Sequence, residues 1–196
     1  MSPLSRKEQA FLLELARSVI EGKLRDGRPP TPPADVSPAL SEKRGCFVTL
    51  HAKGALRGCI GAIEPVRPLV EAVVENAINA AFQDPRFPPL TETEASEIEV
   101  EISVLTVPAP LAFSDGKDLI SLLKPGVHGV ILEKGWHRST FLPQVWEQLP
   151  DPTRFLSHLC RKAGLGGDCW RESDIVVKTY EAFYFSESSV GGVSAR

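Results

Sequence analysis

Apolar positions along this chain recur with two periods, and each period marks its own elements. Phe11, Leu12, Leu15, Ala16, Val19 and Ile20 repeat at helical spacing and form one stripe of a helix predicted over Ser5–Ile20. Ser5 and Glu8 have the spacing of a capping box at its start, and Gly22 marks its end. A second helical stripe, Leu69, Val70, Val73, Ala77, Ile78 and Ala81, follows Pro65 and Pro68 and runs to Phe82. The period then changes to two. Ile98, Val100, Ile102 and Val104 point to one side of a strand, and Glu99, Glu101 and Ser103 point to the other.

Turn residues place the remaining elements. Gly45–Ile63 is predicted as a hairpin turning at Lys53-Gly54, and Gly129–Phe141 as a second turning at Lys134-Gly135. A two-residue turn in the first hairpin sets Val48 opposite Cys59 and Leu50 opposite Arg57. Cys46, Val48, Leu50, Arg57, Cys59 and Gly61 would then share one face, with Phe47, Thr49, His51, Leu56, Gly58 and Ile60 on the other. Both faces carry apolar residues, so the hairpin is expected at the centre of a sheet covered on both sides. A short helix over Lys117–Leu123, a helix over Phe155–Ala163 closed by Gly164, and a last strand over Ile175–Phe185 complete the pattern. The proline-rich stretch from Lys23 to Arg44 reads as an extended strap, and Ser188–Arg196 as a disordered tail. Hairpins and helices mix without strict alternation and without internal repeats. The predicted class is α+β, mainly antiparallel sheet with flanking helices.

Composition narrows the function classes. The 196 residues suit one domain, or one domain in two lobes, and 42% hydrophobic with 24% charged residues is ordinary for a soluble globular chain. A net charge of -3 argues against binding a nucleic-acid backbone. No run approaches the roughly 18 apolar residues of a membrane span. Met1–Glu8 lacks the apolar core of an export signal, so a cytoplasmic location is expected. Cys46, Cys59, Cys160 and Cys169 form no C-x-x-C pair, and in that compartment all four are expected as thiols. His158 and Cys160, two apart on a helix, point to opposite sides, which disfavours a metal site.

The sharpest chemistry lies in Leu56-Arg57-Gly58-Cys59-Ile60-Gly61. Glycines beside a cysteine let another group approach, and a cation two residues away on the same strand face favours the thiolate. Cys59 is a candidate nucleophile; as an unpaired cysteine it is equally a small side chain for a crowded crossing. Arg57 is a candidate grip for a carboxylate or phosphate, and also a candidate partner for a structural carboxylate such as Glu101. No base adjoins Cys59, and the folded chain must bring one, with His137 and Glu101 as candidates. His137, Ser139 and Thr140 beside Phe141–Trp146 read as a polar wall over an aromatic floor, or as a hairpin arm packed into the core. Gly58–Gly61 fits a bare G-x-x-G pattern, but it lies within a strand and lacks the ending of a phosphate-binding loop.

Several longer motifs resemble the AMMECR domain family. They are Gly45–Leu50 followed by Leu56–Gly61, Ala80–Leu90, Glu101–Leu105, Thr140–Glu147 and Phe155–Leu165, in that order. The resemblance covers residues 5–187, leaving 188–196 as a tail. It implies an α+β fold of two lobes, contributed discontinuously, with a cleft between them. It implies component A of the AmmeMemoRadiSam system, with a Memo-like protein and a radical S-adenosylmethionine enzyme as partners. It brings no established activity or cofactor. Glu101 lies in a family motif and is the carboxylate to expect in the cleft; Glu99 does not. Two functions follow. One is a binding module for a small ligand or a partner, touching it through Arg57, Gly58, Gly61, His137 and Thr140. The other is a thiol-dependent enzyme using Cys59 with Arg57 on a small acidic substrate.

Overall fold

The computed structural model describes residues 4–28, 31–33 and 35–190. The chain divides into two compact units, one of residues 1–105 with 183–196 and one of residues 106–182. Each has its own four-stranded sheet, so the class is α+β with antiparallel hairpins, as the patterning predicts.

In the first unit, α1 (Arg6–Asp26) starts where its capping residues dictate. Ser5 Oγ accepts from the Glu8 amide, and the Glu8 carboxylate accepts from the Ser5 N–H at 2.8 Å. The helix does not stop at Gly22. That glycine is buried within it, and the end comes at Gly27 in the left-handed conformation. One glycine costs a helix about 1 kcal/mol, less than the packing gained by continuing the apolar stripe to Leu24. The strap that follows packs Val36 on the core, and Ser37 Oγ donates to Glu8 Oε1 at 2.5 Å. It then forms α2 (Pro38–Ser41).

The sheet of this unit has the order β2-β1-β3-β8, formed by β1 (Cys46–Ala52), β2 (Ala55–Ala62), β3 (Ile98–Leu105) and β8 (Ala182–Ser186). Cys46, Val48, Leu50, Val100, Ile102 and Val104 are buried on one face, with the stripes of α1 and of α3 (Leu69–Phe82) in the same core. The opposite face is only half-buried. Among the described residues that face is less covered than expected for the hairpin, and β2 is an edge strand rather than a central one. A stiff loop after α3 leads through α4 (Glu92–Ala95) to β3.

The second unit has the sheet order β4-β7-β5-β6, from β4 (Ala109–Pro110), β5 (Gly129–Lys134), β6 (His137–Phe141) and β7 (Val176–Tyr180). The β5–β6 turn is Gly135-Trp136, one residue later than predicted, because Lys134 still pairs with His137. Two helices, α5 (Gly116–Leu122) and α6 (Pro152–Lys162), cover the core face, where Trp146 stacks on Phe155 with centroids 3.7 Å apart. Cys160 and Cys169 are not free thiols. They form a disulfide with Cα atoms 6.0 Å apart, because the left-handed Gly164 turns the chain back and lays a short 3-10 turn, Cys169–Arg171, against α6.

The last predicted strand, Ile175–Phe185, is two strands in two sheets, broken at Glu181. Its uninterrupted β-rich composition conceals that break. Ser188–Val190 belongs to α7 (Glu187–Val190) rather than to a tail, and residues 191–196 lie outside the described residues. Among the described residues no helix is long and apolar enough to cross a membrane.

Candidate functional site

The geometry of the site follows from one irregularity. The β1–β2 register runs Ala52↔Ala55 and His51↔Leu56, then Leu50↔Gly58 and Thr49↔Cys59, so Arg57 is an extra residue in a β-bulge. A one-residue shift reverses every side chain beyond it. Cys59 therefore lies opposite Thr49, not Val48. It leaves the core face of Cys46, Val48 and Leu50 and joins Phe47, Thr49 and His51, the face from which a regular turn would have excluded it.

Freed from the alternation, Arg57 turns to the loop before β3 and is 8% exposed. Its Nε donates to Glu94 Oε1 at 2.8 Å, and Nη2 donates to the Pro88 carbonyl at 3.0 Å. Its predicted structural partner Glu101 is replaced by Glu94. The hydrogen bond from Arg57, helped by those from Thr91, pushes the Glu94 carboxyl down to about 2. The remaining nitrogen, Nη1, is buried without a partner among the described residues. The Phe87 ring lies near two guanidiniums, 5.8 Å from Arg57 Cζ and 5.5 Å from Arg86 Cζ.

Because β2 is an edge, the backbone of Cys59 needs partners from outside the sheet. Asp84 and Arg86 supply them. Asp84 Oδ2 accepts from the Cys59 N–H at 2.9 Å, and Arg86 Nη2 donates to the Cys59 carbonyl at 3.3 Å. The two side chains also bind each other at 2.7 Å, so an ion pair stands where a neighbouring strand would be. The Arg86 hydrogen bonds, joined by the amides of Cys59 and Arg86, hold the Asp84 carboxyl well below the usual carboxylate range despite its burial.

Two glycines of the motif have steric reasons. A Cβ on Gly58 would collide with the Ala80 carbonyl oxygen, so Gly58 lets α3 lie directly on β2. A Cβ on Gly61 would collide with the Phe47 ring and the Cys46 carbonyl oxygen.

The result is a half-buried polar face on the first sheet. Thr49 has Cys59 opposite on one side and Glu101 on the other, and His51 lies opposite Glu99. Thr49 Oγ1 donates to Cys59 Sγ at 3.2 Å. Cys59 and Glu101 are two strand spacings apart, roughly 10 Å. Glu101 has no hydrogen-bond or ion-pair partner among the described residues, whereas Glu99 accepts from the Ser188 N–H at 3.2 Å.

His137 and Thr140 belong to the other unit and have local work there. His137 Nδ1 lies 2.8 Å from the Ala163 carbonyl at the end of α6. Thr140 Oγ1 lies 3.0 Å from the Tyr180 hydroxyl, and its carbonyl accepts from Lys162 at 2.9 Å. Both fasten β6 to its neighbours, the packed-arm alternative for this hairpin.

Comparison with known proteins decides the family. The AMMECR1 family profile matches residues 13–185. A protein of Methanothermobacter thermautotrophicus is 46% identical over 187 residues, spanning 95% of this chain and 97% of the relative. A protein of Thermofilum pendens is 42% identical over 203 residues, spanning 98% and 95%. The crystal structure of an uncharacterized protein from Pyrococcus horikoshii superposes with a TM-score of 0.81 at 42% identity, covering 93% of this chain and 92% of that one. The chain belongs to the AMMECR1 family.

Within this AMMECR1 domain, sequence reasoning reached Asp84 and Arg86 as part of the Ala80–Leu90 motif. It missed Thr49 and Glu94. Glu94 carried a readable signal, since Thr91 and Glu94 have capping-box spacing that starts α4. Thr49 had none without the bulge.

Proposed function

We propose that this AMMECR1-family chain is a non-catalytic binding module whose contact surface is the polar face around Thr49, Cys59 and Glu101. We place it as component A of the AmmeMemoRadiSam system, with the Memo-like protein and the radical S-adenosylmethionine enzyme as its partners. That placement rests on the sequence resemblance. The binding role rests on one observation: both arginines near Cys59 are already paired with carboxylates of this chain, Arg57 with Glu94 of α4 and Arg86 with Asp84 of its own loop. A nearby cation activates a cysteine by favouring its thiolate, and a guanidinium already paired with a carboxylate does so less. Here the charge without a partner on the face is Glu101, and a carboxylate there suits recognition of a donor or cation on a bound molecule.

The second reading, a thiol-dependent enzyme, is favoured by the Thr49 hydroxyl, which donates to the Cys59 sulfur. It loses Arg57 as the grip on an acidic substrate, since that guanidinium is buried against Glu94 and Pro88.

Surface plasmon resonance of the immobilised chain against each purified partner tests the binding role. At least one should bind, and Glu101→Lys should weaken it roughly tenfold, as expected when a charge is reversed at a contact. No binding by either protein, or equal binding by the variant, would contradict the reading.

A further inference from the structure

The second unit has a cavity of its own, lined by no residue of the Leu56–Gly61 motif. Its volume is ≈ 430 Å³, in the range of small-molecule sites and enough for roughly a dozen water-sized groups. One wall is the segment from β4 into α5, with Leu111 and Phe113. The other runs from the Cys169–Arg171 turn into β7, with Arg171, Ile175 and Val176. Val176 is 47% exposed, apolar surface that an occupant would cover.

Three charged side chains line the cavity, and two are occupied. Asp115 Oδ1 accepts the amides of Lys117 at 2.8 Å and Asp118 at 2.9 Å, capping α5. Glu172 is paired with Lys134. Arg171 differs. Its guanidinium lies 4.5 Å over the Trp170 ring, and its contact with Asp168 is 3.9 Å, too long for a hydrogen bond. Among the described residues none accepts a hydrogen bond from this side chain, so its flat fork of donors is open to a ligand.

The ring under the guanidinium is anchored. Trp170 is 2% exposed, and its neighbour Cys169 is bonded to Cys160 of α6. A Cβ on Gly116 would come within 2.8 Å of the Trp170 ring and 3.4 Å of Arg171 Cγ, so a glycine is what lets this pair lie against the start of α5. A guanidinium resting on Trp170, with no hydrogen-bond acceptor among the described residues and only the 3.9 Å contact to Asp168, matches, beside an apolar wall, a carboxylate with a hydrocarbon body.

We propose that this cavity binds a small amphipathic carboxylate, its head on Arg171 and its body along Phe113, Ile175 and Val176. Nothing in this depends on the face around Cys59. The test titrates hexanoate, hexylammonium and inorganic phosphate into the full-length ¹⁵N-labelled chain and follows amide shifts, with Arg171→Gln in parallel. The Arg171 side chain is 61% exposed, so the variant should keep the fold and an unchanged spectrum elsewhere. Hexanoate should shift residues 111–116 and 171–177 saturably, and the variant should bind it roughly tenfold more weakly. Hexylammonium and phosphate should leave those amides unmoved. The proposal fails if hexanoate shifts none of them, if the variant binds equally well, or if either control binds as tightly as hexanoate.

Discussion

Arg57 had two readings, a cation for chemistry beside Cys59 and a partner for a structural carboxylate, and its hydrogen bonds go to the second kind of partner. Its charge next to Cys59 suggested an activating cation, but as the extra residue of a bulge it serves the loop instead. Arg57→Met should lower stability by about 1–3 kcal/mol in urea unfolding, for a buried donor set lost against a partly exposed carboxylate. Glu94 makes the same pair sensitive to acid. Its folded carboxyl sits at about 2 against 4.5 unpaired, so the pair contributes fully above about pH 5. That contribution is lost as pH falls toward 2, and Glu94→Gln should flatten this part of the stability profile. The two free cysteines should also separate. Burial pushes the Cys46 thiol up to about 12, so it should resist alkylation at about pH 8 while half-exposed Cys59 is modified, read by mass spectrometry.

At the scale of elements, periodicity and caps were legible because each is a local property. The stripe of α1, its Ser5–Glu8 box and the alternation of β3 needed only neighbours three or two residues away. Ser5→Ala should accordingly reduce stability by about 1 kcal/mol. Gly22 misled because a helix stops where packing no longer rewards it, and Leu24 still packs. The face of Cys59 was illegible for a different reason. A bulge depends on what the extra residue can bind, here Glu94, Pro88 and a loop some thirty residues on, which no two-residue turn rule contains. The sequence did mark where elements touch. Gly58 lies against a backbone carbonyl that cannot move aside, and Gly58→Ala should destabilise the first unit by about 1–3 kcal/mol, measured by thermal unfolding.

At the scale of the whole molecule, the chain builds two sheets with separate cores, and the last β-rich stretch leaves one sheet for the other at Glu181. Composition over Ile175–Phe185 carries no trace of that change, since both halves are equally rich in β-formers. The disulfide was hidden likewise, because pairing Cys160 with Cys169 depends on the Gly164 turn rather than on a C-x-x-C spacing. Closing so short a loop contributes about 2–3 kcal/mol. Reduction should raise hydrogen exchange around α6 and the Cys169–Arg171 turn while leaving α1 and β1–β3 unchanged. The central claim is that the Leu-Arg-Gly-Cys-Ile-Gly motif is architecture beneath a binding face, not an activated thiol. Its most direct test is the iodoacetamide alkylation rate of Cys59 from about pH 6 to 9, read by mass spectrometry beside glutathione as a free-thiol standard. The account predicts a rate at or below that of glutathione throughout. Faster modification of Cys59 than of glutathione near pH 6, levelling off by pH 7, would contradict it.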